Sequence, residues 1–189
     1  LVNVSYHRTL FWDGRADNLE MHALMPILNP HEMAMPSAKM LEEKLRKIPG
    51  YVAAFREAFE SEIEAEDIAR AIAAFERTLL AGDSPYDRFE AGDRTALSAS
   101  AKRGMEIFFH KALCHSCHNG SVFSDGEYHN IGVGFGEEHR DQGRSLFEPD
   151  DYLKKLARFS FRTPPLRDIV RTPPYMHNGS LQTLQDVVE

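Results

Sequence analysis

The sequence predicts an all-α protein, on three observations. Apolar residues recur at three- and four-residue spacing in several successive stretches. No run alternates apolar and polar residues as a half-buried strand does. The segments between are punctuated by proline and glycine. Up to about Met35, Gly14, Pro26, Pro30 and Pro36 interrupt any sustained period, so this part reads as loop with short helical turns. Met40, Leu41, Leu45 and Ile48 then repeat at helical spacing, with Ser37 as N-cap and Pro49-Gly50 as the stop. Tyr51, Val52, Phe55 and Phe59 define a second helix, and Ile68, Ile72, Phe75 and Leu79 a third. The run Ala81-Gly82-Asp83-Ser84-Pro85 ends that helix and marks a candidate domain boundary. A fourth helix starts near Ser98 and passes through Met105, Ile107 and Phe108. After it, Gly120, Gly126, Gly132, Gly134, Gly136 and Gly143 mark a long loop, of the kind usually draped over a ligand. Thr163-Pro164-Pro165 and Thr172-Pro173-Pro174 bracket a short helical piece, and Leu181, Leu184 and Val188 begin a last helix.

Composition bounds the function. At 42% hydrophobic and 27% charged, the 189 residues belong with soluble globular chains and suffice for one large domain or two small ones. A formal charge of −7 argues against nucleic acid, whose phosphates call for a basic face. No stretch approaches the roughly 20 apolar residues that span a bilayer. The opening residues lack the basic and apolar regions of a signal peptide. The two cysteines lie inside one five-residue segment, where a disulfide would close almost no loop.

That segment, Cys114-His115-Ser116-Cys117-His118, has the C-x-x-C-H pattern of covalent haem attachment. Two thiols must reach the two vinyl groups on adjacent edges of one porphyrin, and a helical turn places them there. The histidine that follows then lies beneath the iron as its axial ligand. The competing readings are half a zinc site and a thioredoxin-type redox pair. Zinc wants four ligands and there is no second cysteine pair; a redox pair wants a βαβ setting that the pattern lacks. Haem c is the expectation. A histidine inside the attachment pattern, such as His115, is expected to point to solvent.

Phe11-Trp12-Asp13-Gly14-Arg15-Ala16, Asn29-Pro30-His31-Glu32-Met33, Cys114 to His118, Pro164-Pro165-Leu166-Arg167 and Pro173-Pro174-Tyr175-Met176-His177-Asn178-Gly179 follow one another in this order. In these motifs the chain resembles the bacterial di-haem cytochrome c peroxidases and their MauG-type relatives, over nearly its whole length. The resemblance implies two cytochrome c-like haem domains with long loops. Residues 1–90 would be the remaining part of the peroxidatic, N-terminal haem domain, and residues 91–189 the C-terminal domain whose haem His118 ligates. A second attachment motif is expected upstream of Leu1.

The same resemblance assigns roles residue by residue. Trp12 matches a tryptophan that relays electrons between the haems. Glu32 matches the distal acid–base over the peroxidatic haem, with Pro26 bordering that pocket. His22 stands where the family often has glutamine, as a hydrogen-bonding and titrating group. Arg162 matches an arginine beside the C-terminal haem, suited to its propionates. Thr172 and Pro174 match backbone carbonyls that hold a calcium ion, whose remaining protein ligand, an asparagine, falls before Leu1. His177 lies near the same haem with no assigned role. The sixth ligand of that haem is expected beyond Glu189: methionine in the electron-accepting peroxidases, tyrosine in the MauG type. The text Thr183 to Val188 leans to the tyrosine branch. His7, His31, His110, His129 and His139 carry no assignment.

The implied function is reduction of hydrogen peroxide with electrons from a small cytochrome c or copper protein, in the periplasm, where c-type haem matures. Homodimers are common in the family. The alternatives are a MauG-type enzyme that oxidises residues of a partner protein and a one-haem electron carrier.

Overall fold

The computed structural model describes residues 2–138 and 140–189. Two compact units emerge. The first holds Asn3–Phe11 and Arg15–Leu79; the second holds Val2, Trp12–Gly14 and Leu80–Glu189.

Among the described residues the first unit has a 3-10 turn at Val4–Tyr6 and four α-helices: α1 (Leu19–Leu28), α2 (Ala38–Arg46), α3 (Pro49–Phe59) and α4 (Ala65–Thr78). The sequence reading of a loop up to Met35 is corrected by α1. Asn18 starts it by accepting a hydrogen bond from Met21 N at 2.8 Å, and packing on α4 offsets the backbone bond that Pro26 cannot make. Ser37 caps α2 as expected. Pro49, read as a stop, is the first residue of α3, where a missing N–H costs nothing. Glu66 and Asp67 in the first turn of α4 and Arg77 in its last complement the helix dipole. Two apolar clusters form the core. Leu41, Phe55, Ile63 and Ile68 make one; Leu10, Ala16, Leu19 and Ala73 make the other, supported by Val4, Phe11 and Met25. The small residues Ala23, Ala69 and Ala73 are buried where α1 meets α4.

The second unit begins with α5 (Pro85–Glu90), closed by a reciprocal capping box between Ser84 and Asp87. Next comes α6 (Ala99–Glu106), capped by Ser98, which runs into a single π turn, Ile107–Lys111. Two-residue strands β1 (Tyr128–His129) and β2 (Phe161–Arg162) pair antiparallel, a feature too short to leave an alternating pattern. α7 (Asp151–Leu156), which the sequence reading passed over as loop, is started by the Asp150 side chain. A 3-10 turn at Ile169–Arg171 and α8 (Leu184–Val188) complete the unit. Among the described residues, its buried apolar side chains are Phe89 and Val122 alone.

Candidate active site

In the second unit, Leu113 adopts the left-handed conformation (φ 56°) and turns the chain out of the π turn into a 3-10 turn at Cys114–Ser116. His118 N donates to Cys114 O at 2.9 Å, so the two cysteines and the histidine share one tight turn, with both thiols free of a disulfide. The loop then folds back on that turn. Asp125 N donates to Cys117 O and Ser124 N to Asn119 O, at 2.8 and 2.7 Å. This return brings the carbonyl of Phe123 (φ 57°) to 3.0 Å from His118 Nδ1. A carbonyl can only accept, so Nδ1 carries the proton and donates, which leaves the Nε2 lone pair to bind a metal.

These residues fit a covalently held haem. Leu113 and Ile107 beside the turn keep about half their surface exposed, 56% and 50%. Phe108, Phe109, Phe123 and Tyr86 form a ring cluster next to it. A broad apolar macrocycle suits such surroundings. Burial, with Asp125 close by, pushes the Cys117 thiol up. That disfavours the thiolate a metal would need, although Cys117, Asp125 and His129 place ligand atoms within 4.8 Å of one another. Burial raises the Asp125 carboxyl, but hydrogen bonds from His129 and Thr163 outweigh it and hold the group below its ordinary value. His115 does not point to solvent as expected: its ring lies 5.7 Å from Phe109, and its Nδ1 is buried.

Arg162 N donates to Trp12 O at 2.7 Å, so the loop bearing the half-exposed indole is pinned to β2. Burial lowers the Arg162 guanidinium's pKa from its usual value. His177 stacks on Phe161 with ring centroids 3.5 Å apart. Thr172 and Pro174 stand on either side of Pro173. Neither carbonyl accepts a hydrogen bond from a described residue, which leaves both available to a hard cation. Arg167 organises this half. It donates twice to Asp87, at 2.8 Å each, and once to Ser121 O at 2.7 Å, and it lies over the Phe123 ring.

In the first unit, Arg15, Met21, Leu24, Met25, Leu28, Asn29 and Glu32 line a pocket. Asn29 ends α1 and holds Glu32. Its Nδ2 donates to Glu32 Oε1 at 2.7 Å, its Oδ1 accepts from His31 N at 3.0 Å, and its carbonyl accepts from Glu32 N at 3.0 Å. The structure does not bring His22 into this lining. Its ring lies against Phe11 (centroids 4.6 Å apart), and its Nδ1 is 3.9 Å from Glu76 Oε1. Pro26, within α1, offers its carbonyl to Met33 N. His139 lies outside the described residues.

Sequence reasoning did not assign Asn29, Glu76, Phe123, Asp87 or Arg167. The Asn29–Glu32 spacing was a usable signal for the first. Phe123 acts through its backbone, which no side-chain pattern reports.

The family model for di-haem cytochrome c peroxidase matches residues 1–95. Methylamine utilization protein MauG of Methylorubrum extorquens is 42% identical over 191 residues, covering 100% of this chain and 52% of that protein. Cytochrome c551 peroxidase of Pseudomonas aeruginosa is 35% identical over 199 residues, covering 100% and 55%. Among solved structures, the diheme peroxidase BthA of Burkholderia thailandensis superposes with a TM-score of 0.80 at 27% identity, covering 95% of this chain and 50% of that one. A MauG-like protein associated with microbial copper homeostasis gives 0.81 at 29%, covering 99% and 59%. The chain spans about half the length of the curated relatives it matches.

Proposed function

Because this chain belongs to the di-haem cytochrome c peroxidase family, we propose that the full-length protein reduces hydrogen peroxide to water with electrons from a small cytochrome c or copper protein. The observation that carries this reading is Glu32, a carboxylate clamped by Asn29 at the edge of a pocket lined largely by Met and Leu side chains. An electron carrier has no use for such a group.

A haem bound here would supply one-electron chemistry at its iron. Cys114 and Cys117 would hold it through thioether bonds, and His118 would offer Nε2, its orientation fixed through Phe123 O. Arg162 is the partner for a propionate. Trp12 relays electrons, its loop steadied by Arg162 N. Glu32 takes the proton from one peroxide oxygen and returns it to the other, so that the leaving group departs as water. Residues 1–90 belong, on this reading, to the peroxidatic domain and 91–189 to the electron-accepting one. The carbonyls of Thr172 and Pro174 contribute to a calcium site. Maturation of haem c places the protein in the periplasm; no helix among the described residues is long and apolar enough to cross a membrane.

Mixing the full-length protein, after reductive activation, with reduced donor and peroxide should oxidise the donor; absence of oxidation would overturn the proposal. The MauG-type alternative draws support from the higher identity to MauG than to the c551 peroxidase, 42% against 35%. It expects poor turnover of small donors, and a methionine as the first ligand-capable residue after Glu189 would exclude it. Intact mass separates both from a one-haem carrier, which would show a single haem of added mass per polypeptide.

A further inference from the structure

Three successive carbonyls of the loop that follows His118 are each engaged. Ser121 O accepts from Arg167 Nε at 2.7 Å, Val122 O from Leu166 N at 3.2 Å, and Phe123 O from His118 Nδ1 at 3.0 Å. The last carbonyl belongs to a left-handed residue (φ 57°), a conformation that a phenylalanine seldom adopts unless its surroundings hold it. Those surroundings are Arg167 and α5. The Arg167 guanidinium is forked between two anchors: Nη1 and Nη2 donate to the two oxygens of Asp87, while Nε reaches Ser121 O. It also lies 5.6 Å from the centre of the Phe123 ring. Asp87 is itself fixed, since its Oδ2 accepts from Ser84 N at 2.8 Å in the capping box of α5. Tyr86, its neighbour on α5, meets the Phe123 ring in a T-shaped contact with centroids 5.2 Å apart.

An ion pair that only tied α5 to the segment after Pro165 would need the two charges and nothing more. Here the remaining donor of Arg167 and the ring of Tyr86 both converge on residues 121–123, the stretch that presents a carbonyl to His118. The basicity of the imidazole depends on how firmly that carbonyl holds the Nδ1 proton. A firmer bond makes Nε2 a better donor to a metal, and a better donor favours the oxidised iron.

We propose that Arg167, anchored by Asp87, sets the reduction potential of the His118 haem by holding the Phe123 carbonyl on Nδ1. The inference rests on the reading of Cys114 to His118 as a haem site. Arg167 and Asp87 are positioning residues, acting on His118 only through Phe123. Their clamp keeps the potential low, so that an electron taken up at this haem is readily passed on.

The test uses full-length holoprotein and reads the potential by spectroelectrochemistry, following the wave that the Cys114→Ala, Cys117→Ala double variant lacks. Charge and position predict different signs. As a bare charge, Arg167 would raise the potential and Asp87 would lower it, so removing them would move it in opposite directions. Through position, losing either residue frees the Phe123 carbonyl and raises the potential. Arg167→Gln and Asp87→Asn should each favour the reduced iron by about tenfold, which is about 59 mV for a one-electron couple. Arg167→Lys, which keeps the charge but cannot make the fork, should give a smaller rise. In all three, exchange of the Ser124 and Asp125 amides, which bond into the attachment turn, should quicken by mass spectrometry. Asp150→Ala, which uncaps α7 in the same unit, should leave the potential where it is. Opposite shifts in Arg167→Gln and Asp87→Asn would overturn the proposal, as would an unmoved potential beside faster loop exchange or an equal shift in Asp150→Ala. Absence of haem would overturn the parent reading and the control of potential with it, while loop exchange would still decide whether Arg167 holds the Phe123 segment.

Discussion

Asn29 and Glu32 are three residues apart, and the 2.7 Å bond between their side chains fixes one oxygen of a carboxylate that lines the pocket. Removing Glu32's proton chemistry in Glu32→Gln should lower kcat by about 100-fold or more. Asn29→Ala, which keeps the carboxylate but frees its rotamer, should cost roughly tenfold in kcat with KM little changed; steady-state assays on full-length protein check both. Asp87 makes a different residue-scale case. The paired hydrogen bonds from Arg167 hold its carboxyl well below the usual carboxylate range, against the raising effect of burial. A depressed folded-state pKa gives stability that is present above the unfolded value and is lost as pH falls towards the folded one. Asp87→Asn should therefore cost about 1–2 kcal/mol at neutral pH, allowing for the carboxylate's partial contact with water. The gap to wild type should narrow below about pH 4, as thermal melts across pH would show. The sequence exposed some of this and hid the rest for a physical reason. Ser37 and Ser98 announce their helices because a cap is a local interaction. Asp87 and Arg167 meet across 80 positions, and Glu76 looks like any helix glutamate until α1 is known to lie against it.

At the scale of elements, the β1–β2 pair holds the loop of Trp12. Tyr128 of β1 pairs with Arg162 of β2, and Arg162 N reaches Trp12 O. Arg144 donates to Gly14 O at 3.1 Å while lying over the Tyr128 ring. Gly14 lets this happen twice over. Its φ is +71°, and a Cβ placed there would collide with the Tyr128 hydroxyl. Gly14→Ala should thus push the Trp12 loop off the hairpin. On the proposed relay role of Trp12, it should slow electron transfer between the haems at least several-fold, with less effect on peroxide binding to pre-reduced enzyme, and stopped-flow spectroscopy separates the two. A rate equal to wild type would mean that the loop has no part in the relay. The motif around Trp12 was readable in the sequence, but the strands that hold it were not, since two residues each leave no period. α1 was hidden by the opposite effect. Pro26 breaks the local rule for a helix, and packing on α4 overrides it.

Across the whole molecule, the two units differ in what holds them together. The first contains both apolar clusters. The second, although longer, buries only Phe89 and Val122 among its described apolar residues, with Ile107 and Leu113 exposed beside the attachment turn. A folded unit of that size needs cover for its apolar side chains, and on the proposed reading a porphyrin held by Cys114 and Cys117 would provide it. About 400 Å² of apolar surface removed from water would contribute about 10 kcal/mol, as much as the entire stability of an ordinary domain. On that reading the thioethers would anchor a core as well as a cofactor. In full-length protein, Cys114→Ala with Cys117→Ala should leave the helices of residues 1–79 resistant to trypsin while cleavage concentrates in residues 80–189. The double variant should also lose the cooperative melt of the second unit. Mapping the fragments by mass spectrometry checks this. Equal protection of both units in the double variant would mean that side chains alone hold the second unit together, and the haem would then be its passenger rather than its core.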